Sequence, residues 1–292
     1  MMAFDPAEYK RFEREAYNAV AAAWAANVAE TTALYSRRLL ELLKPGRGAS
    51  LLDLACGAGH LARDAVSRFG CRAAGVDLSE GMLQHARPLG VCADAEHLPF
   101  RDATFDIVAS GLGLMYFPDP ALALEEIRRV VRPGGRVGFV VWPLAPRTAA
   151  LRVAVSSFAE TIAPPPVGWL LRIPGIGERV LFRVLEDTIP GKGPSPFRFG
   201  RPGKLESALE RAGFSGISVV EHTEVWRYAG FDEFWRNFVR STPSAQPGLS
   251  PETVARVRAR MEQKSRDYAN RGALAFPMTA LLAVALNDNP DR

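Results

Sequence analysis

The stretch Leu51-Leu52-Asp53-Leu54-Ala55-Cys56-Gly57-Ala58-Gly59-His60 decides the fold of this 292-residue chain. An apolar run ends in an acidic residue, and a glycine-rich turn follows at once. Residues 61–66 then have the composition of a helix. Because glycine lacks a Cβ and tolerates left-handed backbone conformations, a strand, a glycine turn and a helix in this order let the backbone lie against a small ligand.

Apolar segments alternate with helical segments along most of the chain. A long helix is predicted over residues 7–43, an aromatic-rich helix over 231–240, and strands over 50–55, 71–77, 91–94, 105–110, 136–142, 217–225 and 278–286. This order predicts an α/β fold. Its core would be a Rossmann-like, doubly wound, seven-stranded and mostly parallel sheet, with an N-terminal helical cap and an inserted lid.

Four regions divide the chain on this interpretation. Residues 1–45 form the helical cap, 46–143 the cofactor-binding core, 144–203 a lid or substrate insertion, and 204–292 the C-terminal part of the core sheet with its helices. The insertion is rich in proline and glycine but strongly apolar, whereas a linker would be more polar. We therefore expect it to cover the ligand-binding edge of the sheet.

The composition argues against several classes of protein. There are 36 Lys and Arg against 32 Asp and Glu, and this small excess contains no dense basic block of the kind that binds nucleic acid. The three cysteines suit a reducing compartment, and no cysteine–histidine cluster predicts a metal. The N-terminus lacks a signal-peptide pattern and no apolar run reaches membrane-spanning length, which predicts a cytoplasmic protein.

Polar side chains stand at the ends of four predicted strands, at Asp53, Asp77, Asp94 and Ser110. Ligands of such sheets bind outside the carboxyl ends of the strands. Residues 57–62 also match the dinucleotide fingerprint, and Asp77 lies where a ribose-binding acid is expected, so an NAD-dependent oxidoreductase is one alternative.

Three carboxylates at one edge disfavour a pyrophosphate, because like charges repel. They suit a ligand that has an amino group, a positive centre, a ribose diol and an exocyclic amine. S-adenosylmethionine has all four, and it is the cofactor that these residues predict.

Six segments together form a specific pattern: residues 52–59, 76–79 with Met82, 93–100, 105–108, 113–119 and 132–135. With these segments the chain resembles class I S-adenosylmethionine-dependent methyltransferases, in the group similar to the ubiquinone and menaquinone biosynthesis enzymes. The resemblance is strong over residues 45–142 and fainter from 197 onward.

The resemblance implies a role for each matching position. Asp53 would organise the glycine loop and the amino group of the cofactor, Gly57 and Gly59 would lie beneath the cofactor, and Asp77 would bind the ribose hydroxyls. The remaining positions would contact the adenine and the methionine end: Leu78, Met82, Asp94 and the Ala95 amide at the adenine, and Ser110 near the methionine end. Ala55 replaces the first glycine of the family's common pattern, and alanine is small enough for binding to survive.

Methyl transfer needs a general base only when the acceptor must lose a proton. The polar candidates for this role are His60, Tyr116 and His222. Residues 110–113 occupy the place of the Asn/Asp-Pro-Pro-Tyr/Phe motif of base-methylating enzymes and do not match it. Tyr17 and Trp24 of the N-terminal helix are candidates to cover the cofactor.

The apolar insertion indicates the class of substrate. Its large side chains would line an apolar pocket or touch a membrane surface, with arginines at the edge: Trp169, Leu170, Leu171, Ile173, Ile176 and Phe182, with Arg172, Arg179 and Arg183. The predicted function is O- or C-methylation of a small hydrophobic molecule. The alternatives are a cofactor-binding auxiliary protein of the same fold that transfers no methyl group, and the NAD-dependent oxidoreductase.

Overall fold

The computed structural model describes residues 4–87, 90–144, 147–164, 166–173, 176–185, 188–189, 193–239, 241 and 249–288. The helices are α1 Pro6–Asn27, α2 Ala29–Leu43, α3 His60–Phe69, α4 Glu80–Ala86, α5 Pro120–Val130, α6 Ala149–Ile162, α7 Val167–Leu171, α8 Gly177–Val184, α9 Lys204–Arg211, α10 Phe231–Phe234 and α11 Pro251–Ser265. The strands are β1 Ser50–Leu54, β2 Arg72–Asp77, β3 Gly90–Cys92, β4 Phe105–Gly111, β5 Val131–Val141, β6 Thr188–Ile189, β7 Gly193–Pro194, β8 Ser215–Tyr228, β9 Ala269–Asn270 and β10 Ala273–Asn287.

The central sheet has the strand order β3-β2-β1-β4-β5-β10-β8. The first five strands in this order are parallel, whereas β10 runs antiparallel to both β5 and β8. The predicted seven-stranded, mostly parallel sheet is therefore confirmed, and the two-residue strand β9 adds an eighth member beside β10. Leu51, Leu52 and Leu54 of β1 are fully buried, as expected for a strand that is covered on both faces.

The predicted helix over residues 7–43 is two helices that meet at Val28. They separate because they cover different elements: α1 packs on α4, whereas α2 packs on α3, β5 and β10. Tyr35 of α2 is fully buried, and its hydroxyl donates to the Met278 carbonyl oxygen at 2.7 Å. This contact fixes α2 on the antiparallel half of the sheet.

The predicted helix over residues 231–240 is also shorter and composite. Helix α10 is followed by a π-helical turn, Trp235–Val239. Residue 240 lies outside the described residues. The stacked rings of Phe234 and Phe238, with centroids 5.5 Å apart, link the two segments. The wider turn brings Phe238 to the same face as Trp226 of β8, whose ring centroid is 5.7 Å away.

The region between β5 and α9 contains α6, α7, α8 and the two-stranded β6–β7 sheet. Helix α6 packs on α11, on α7 and on β10, which places this region beside the antiparallel half of the central sheet. Pro165, residues 174–175 and the side chain of Arg179 lie outside the described residues. Across the described ranges we find no helix that combines the length and the apolar character needed to cross a bilayer.

The Pro133-Gly134-Gly135 turn shows why β5 requires glycine. A Cβ on Gly135 would lie 2.8 Å from the Arg132 carbonyl oxygen and 2.9 Å from that of Asp106. Both obstacles are backbone atoms, so the strand itself would have to move. Glycine therefore permits the close approach of β5 to β4.

We expect the substitution Gly135→Ala to lower the free energy of unfolding by about 1–3 kcal/mol, because overpacking forces a backbone shift. The matched control is Gly46→Ala, since a Cβ on Gly46 would meet nothing within 4 Å. Urea unfolding of both variants measures the difference. Equal stabilities would contradict the packing argument.

Candidate cofactor and substrate cavity

A cavity of about 230 Å³ follows the edge of the sheet where β1 to β5 end. Acidic side chains from the β1–β3 half of the sheet line one part of it, and aromatic side chains from the β5–β8 half line the other. Helix α1 covers the opening. The predicted meeting of the strand-end residues at one edge is thus what the fold produces, although not every predicted residue faces the cavity.

Asp53 lies in the buried part of this edge, one residue before the end of β1. Its Oδ2 accepts a hydrogen bond from the Ala62 amide at 3.0 Å, which ties the strand to the first turn of α3. Burial raises the pKa of Asp53 to about 7, and the charge of Asp77 adds to the shift. The backbone between Asp53 and Ala62 must therefore form a tight loop.

The loop uses left-handed backbone conformations at Ala55 (φ 56°), Gly57 (φ 52°) and Gly59 (φ 76°). Such a conformation is uncommon for a residue with a Cβ, which explains why a glycine is common at the position of Ala55. Gly113 makes room for this alanine, since a Cβ on Gly113 would lie 2.5 Å from the Ala55 Cβ. Ala55 and Gly57 line the cavity, whereas Gly59 packs against Ala86.

Asp77 ends β2 and holds two segments with its two oxygens. Oδ2 accepts from the Gly57 amide at 2.8 Å, and Oδ1 accepts from the Ser79 amide at 2.9 Å. Burial raises the pKa of Asp77. Leu78 and Met82 follow on the same wall of the cavity. The carboxylate therefore joins the glycine loop to the start of α4.

Asp94 and Ala95 line the cavity beyond β3. Lys10 of α1 forms ion pairs with Asp94 Oδ2 at 2.6 Å and with Glu96 Oε2 at 2.5 Å. Glu96 also accepts from the Asp119 amide at 2.7 Å, which anchors the start of α5. The roles of Lys10 and Glu96 could not be predicted from the sequence, because nothing local marks a contact between residues 84 or 86 positions apart.

Ser110 is not among the residues that line the cavity; Gly111, Leu112 and Gly113 take that place. The Ser110 side chain is fully buried within the sheet, and its Oγ has no hydrogen-bond partner among the described residues. The structure therefore does not place this hydroxyl at the position expected for contact with the methionine end of the cofactor.

The three candidate bases have different surroundings. His60 lines the cavity, with its Nδ1 3.3 Å from Glu30 Oε1, and burial lowers its pKa. Tyr116 also lines the cavity, but burial raises its pKa, so this hydroxyl stays protonated near neutral pH. His222 lies in β8 outside the cavity lining, with Nε2 2.7 Å from Glu224 Oε1. His222 is therefore not among the predicted residues that the structure brings together at the cavity.

Helix α1 presents one face to the cavity through Tyr9, Glu13, Tyr17 and Trp24. These positions recur at spacings of four and seven residues, which place side chains on one side of a helix. The indole of Trp24 approaches to 3.4 Å from the place where a Gly57 Cβ would be. Tyr17 and Trp24, the two candidates to cover the cofactor, thus line the cavity, and so do Tyr9 and Glu13, which were missed although the same spacing marks them.

Helix α1 is held over the cavity by contacts with the start of α4. Asn18 Oδ1 accepts from the Ser79 hydroxyl at 2.7 Å and from the Gly81 amide at 2.8 Å. Arg14 pairs with Glu80 at 2.9 Å. The cap therefore depends on the same segment that Asp77 positions.

The other half of the cavity is apolar. Trp142 at the end of β5 meets Trp226 of β8 edge to face, with centroids 5.9 Å apart, and Phe238 continues this wall. Leu151 of α6 and Met115 also line it. Side chains from β5, β8, α6 and the π-helical turn thus form an aromatic pocket next to the acidic half.

The fold and this cavity define a class: a Rossmann-like protein with carboxylates at three adjacent strand ends and an aromatic pocket beside them. Residues 52–139 match the family described as Methyltransferase domain. The chain therefore contains a methyltransferase domain, of the class that uses S-adenosylmethionine as cofactor.

Similar proteins agree with this class. A malonyl-[acyl-carrier protein] O-methyltransferase of Geobacter sulfurreducens is 29% identical over 92% of this chain and 95% of its own length. A demethylmenaquinone methyltransferase of Chlorobaculum tepidum is 30% identical over 46% of this chain and 57% of its own length. A solved structure from Bacillus halodurans is 20% identical, with a TM-score of 0.54, over 87% of this chain and 99% of that one; this likeness supports the fold.

The raised pKa of Asp53 has a consequence for stability. An unfolded aspartate titrates near about 3.9, so between about pH 4 and 7 the folded ligand-free protein binds more protons at this group than the unfolded chain. Rising pH in this window therefore disfavours the folded state through Asp53. Asp53→Asn cannot ionise, and its stability relative to wild type should rise from pH 4 to pH 7.

Urea unfolding of the ligand-free proteins at several pH values measures this difference. The exposed residue Asp267 provides a control variant, Asp267→Asn, for the loss of one carboxyl group. Parallel stability curves for wild type and Asp53→Asn would contradict the interpretation.

Proposed function

We propose that this methyltransferase O- or C-methylates a small apolar molecule. The observation that carries the proposal is the aromatic pocket of Trp142, Trp226 and Phe238, which continues directly from the acidic half of the cavity. Apolar walls of this kind bind ligands by excluding water, and a few polar groups fix the orientation.

The acidic half suits the cofactor chemically. Asp53, Asp77, Asp94 and Glu96 line it, while Lys10 and Arg14, which also line it, are both engaged in ion pairs with acids. Negative charge of this kind favours a ligand with a cationic amino group and a cationic sulfur. When bound, S-adenosylmethionine supplies a methyl group on positively charged sulfur.

We assign the cofactor contacts to residues that face the cavity. Asp77 would accept from the ribose hydroxyls while its oxygens hold Gly57 and Ser79. Asp53 would orient the glycine loop beneath the cofactor. The adenine would meet Leu78, Met82, Asp94 and the Ala95 amide. Lys10 would keep the Asp94 carboxylate in place for this contact, since the two form an ion pair in the cavity wall.

The chain's own contribution to methyl transfer is placement. Holding the acceptor in line with the methyl group converts an encounter into an intramolecular event, which supplies up to about 7–11 kcal/mol in favourable cases. The aromatic pocket would hold the acceptor, and α1 with Trp24 would exclude water from the other side.

A second candidate is O-methylation of a carboxyl group carried on a protein thioester. The similarity to the Geobacter protein, which spans 92% of this chain, favours it. An acyl carrier protein would then be the partner that brings the substrate. Both candidates use the same cofactor half of the cavity and differ in what occupies the aromatic half.

The region around α7 and α8 exposes several large apolar side chains, which we call the lid face: Ile162, Val167, Trp169, Leu170, Ile173, Ile176, Val180 and Val184. Trp169 is 66% exposed. Leu171 and Phe182, expected from sequence to join this face, are buried instead. Arg172 and Arg183 are exposed in the same region. We propose that the lid face touches an anionic lipid surface, where apolar substrates dissolve.

The first experiment tests the cofactor and the acceptor. We expect wild type to bind S-adenosylmethionine and S-adenosylhomocysteine in calorimetric titrations. Asp77→Ala should bind each at least about tenfold more weakly, because it loses charge-assisted hydrogen bonds; Asp267→Ala is the control. Methyl transfer is then measured on 1-naphthol, a hydroxynaphthoquinone and a malonyl thioester of acyl carrier protein.

Transfer to the apolar hydroxyl compounds, with a higher KM in Trp226→Ala than in Trp235→Ala, supports the first candidate. Transfer to the malonyl thioester alone supports the second. Cofactor binding without transfer to any acceptor would favour an auxiliary protein, and binding of NADH in place of S-adenosylmethionine would overturn the proposal.

The second experiment tests the lid face. Trp169→Ser with Leu170→Ser should reduce co-sedimentation with phosphatidylserine-containing vesicles on the order of tenfold, because less apolar area is buried in the interface. Val66→Ser on α3 is the control, since Val66 is also exposed. Salt should weaken binding of the wild type. Unchanged sedimentation of the double variant would contradict the membrane contact.

A further inference from the structure

Five carboxylates line the described part of the cavity, and four of them have structural partners. Asp53 and Asp77 hold backbone amides, and Asp94 and Glu96 pair with Lys10. Glu13 differs: among the described residues it has no ion pair and holds no backbone amide, and its partner is the Tyr9 hydroxyl. Glu13 is thus the acid at the cavity that does not help to hold the described fold together.

Glu13 lies on the cavity face of α1, between Tyr9 and Tyr17. Across the cavity Tyr116 hydrogen-bonds to Tyr17. The charge of Glu13 acts on all three phenols, and Arg198 acts on Tyr9. The cations that neighbour Glu13 on α1, Lys10 and Arg14, are committed to acids at Asp94, Glu96 and Glu80.

We propose that Glu13 takes the proton from a hydroxylated acceptor during methyl transfer. This inference deepens the proposed function and rests on it, because it limits the acceptor to an apolar molecule with a hydroxyl or enol group. Glu13 would be a catalytic residue, since its carboxylate would touch the hydroxyl that reacts.

The step balances as follows. The acceptor O–H bond breaks and its proton bonds to a Glu13 carboxylate oxygen. The acceptor oxygen forms a bond to the methyl carbon with its own electron pair. The bond between that carbon and sulfur breaks, and its electrons remain on sulfur, which becomes neutral. Glu13 then returns the proton to solvent.

The properties of Glu13 suit this task. Burial raises its pKa to about 7, and the hydrogen bond from Tyr9 opposes the shift. A base is most effective when its pKa lies near the working pH. The other candidates fit less well, because Tyr116 stays protonated and His222 lies outside the cavity lining. His60 is the remaining competitor.

The test compares Glu13→Gln with Glu15→Gln, an exposed position on the same helix. With 1-naphthol as acceptor, Glu13→Gln should lower kcat by about 100- to 10,000-fold. Binding of S-adenosylhomocysteine should stay unchanged in calorimetry. The loss should be much smaller for 4-nitro-1-naphthol, whose more acidic hydroxyl needs less help to ionise. A purely structural defect would affect both acceptors equally.

The pH profile gives a second readout. Activity of wild type should fall as pH drops through about 7, since Glu13 must be ionised to accept a proton. This acid limb should vanish in Glu13→Gln. In Tyr9→Phe it should move to higher pH, because the hydrogen bond that favours the ionised carboxylate is lost.

Infrared titration of the ligand-free protein provides a readout apart from turnover. Glu13 and Asp53 should both contribute to a protonated carboxyl band with a midpoint near 7 in wild type, and the Glu13→Gln spectrum should keep only the Asp53 part of it. The inference is overturned if Glu13→Gln keeps wild-type kcat, if His60→Gln alone causes the acceptor-dependent loss, or if the band is as strong in Glu13→Gln as in wild type. If the wild type methylates no hydroxyl acceptor, the proposed function itself is overturned, and so is the proposed role of Glu13.

Discussion

The hydrogen bonds from backbone amides to the buried carboxylate of Asp53 and the half-buried carboxylate of Asp77 hold the ligand-binding edge of this protein in shape. Asp53 binds the Ala62 amide, and Asp77 binds the amides of Gly57 and Ser79. These contacts fix the glycine loop, the start of α3 and the start of α4 relative to one another. A buried carboxylate is costly unless it accepts such bonds, so the loop geometry and the acids depend on each other.

The cap helix depends on this edge in turn. Asn18 binds the Ser79–Gly81 turn that Asp77 positions, and Lys10 pairs with acids beyond β3. Cofactor wall and cap are therefore one polar network. The same helix α1 carries Glu13 into the cavity. Because Lys10 and Asn18 hold the helix in place, Glu13 is not needed to stabilise the fold, and its carboxyl group is available for chemistry.

The order of strands and helices could be predicted because each follows from local pattern. Apolar runs that end in acids marked β1 and β2, and Asp119 followed by Pro120 marked the start of α5. The break at Val28 could not be predicted, since the sequence there remains helical and the change arises from what each half packs against. The bounds of the helices and strands between β5 and α9 could not be predicted either, because this region has a uniformly apolar composition.

The residues of the site also divide into those that local sequence pattern predicts and those that only tertiary packing places. The sequence by itself determined the acids at strand ends, the glycine loop and the cofactor, because these act through short-range backbone geometry. Only the tertiary structure decided that Lys10 pairs with Asp94, that Ser110 and His222 lie outside the cavity lining, and that Trp142, Trp226 and Phe238 form one pocket. Those outcomes depend on contacts between residues distant in the chain, and side-chain packing against a common sheet sets them.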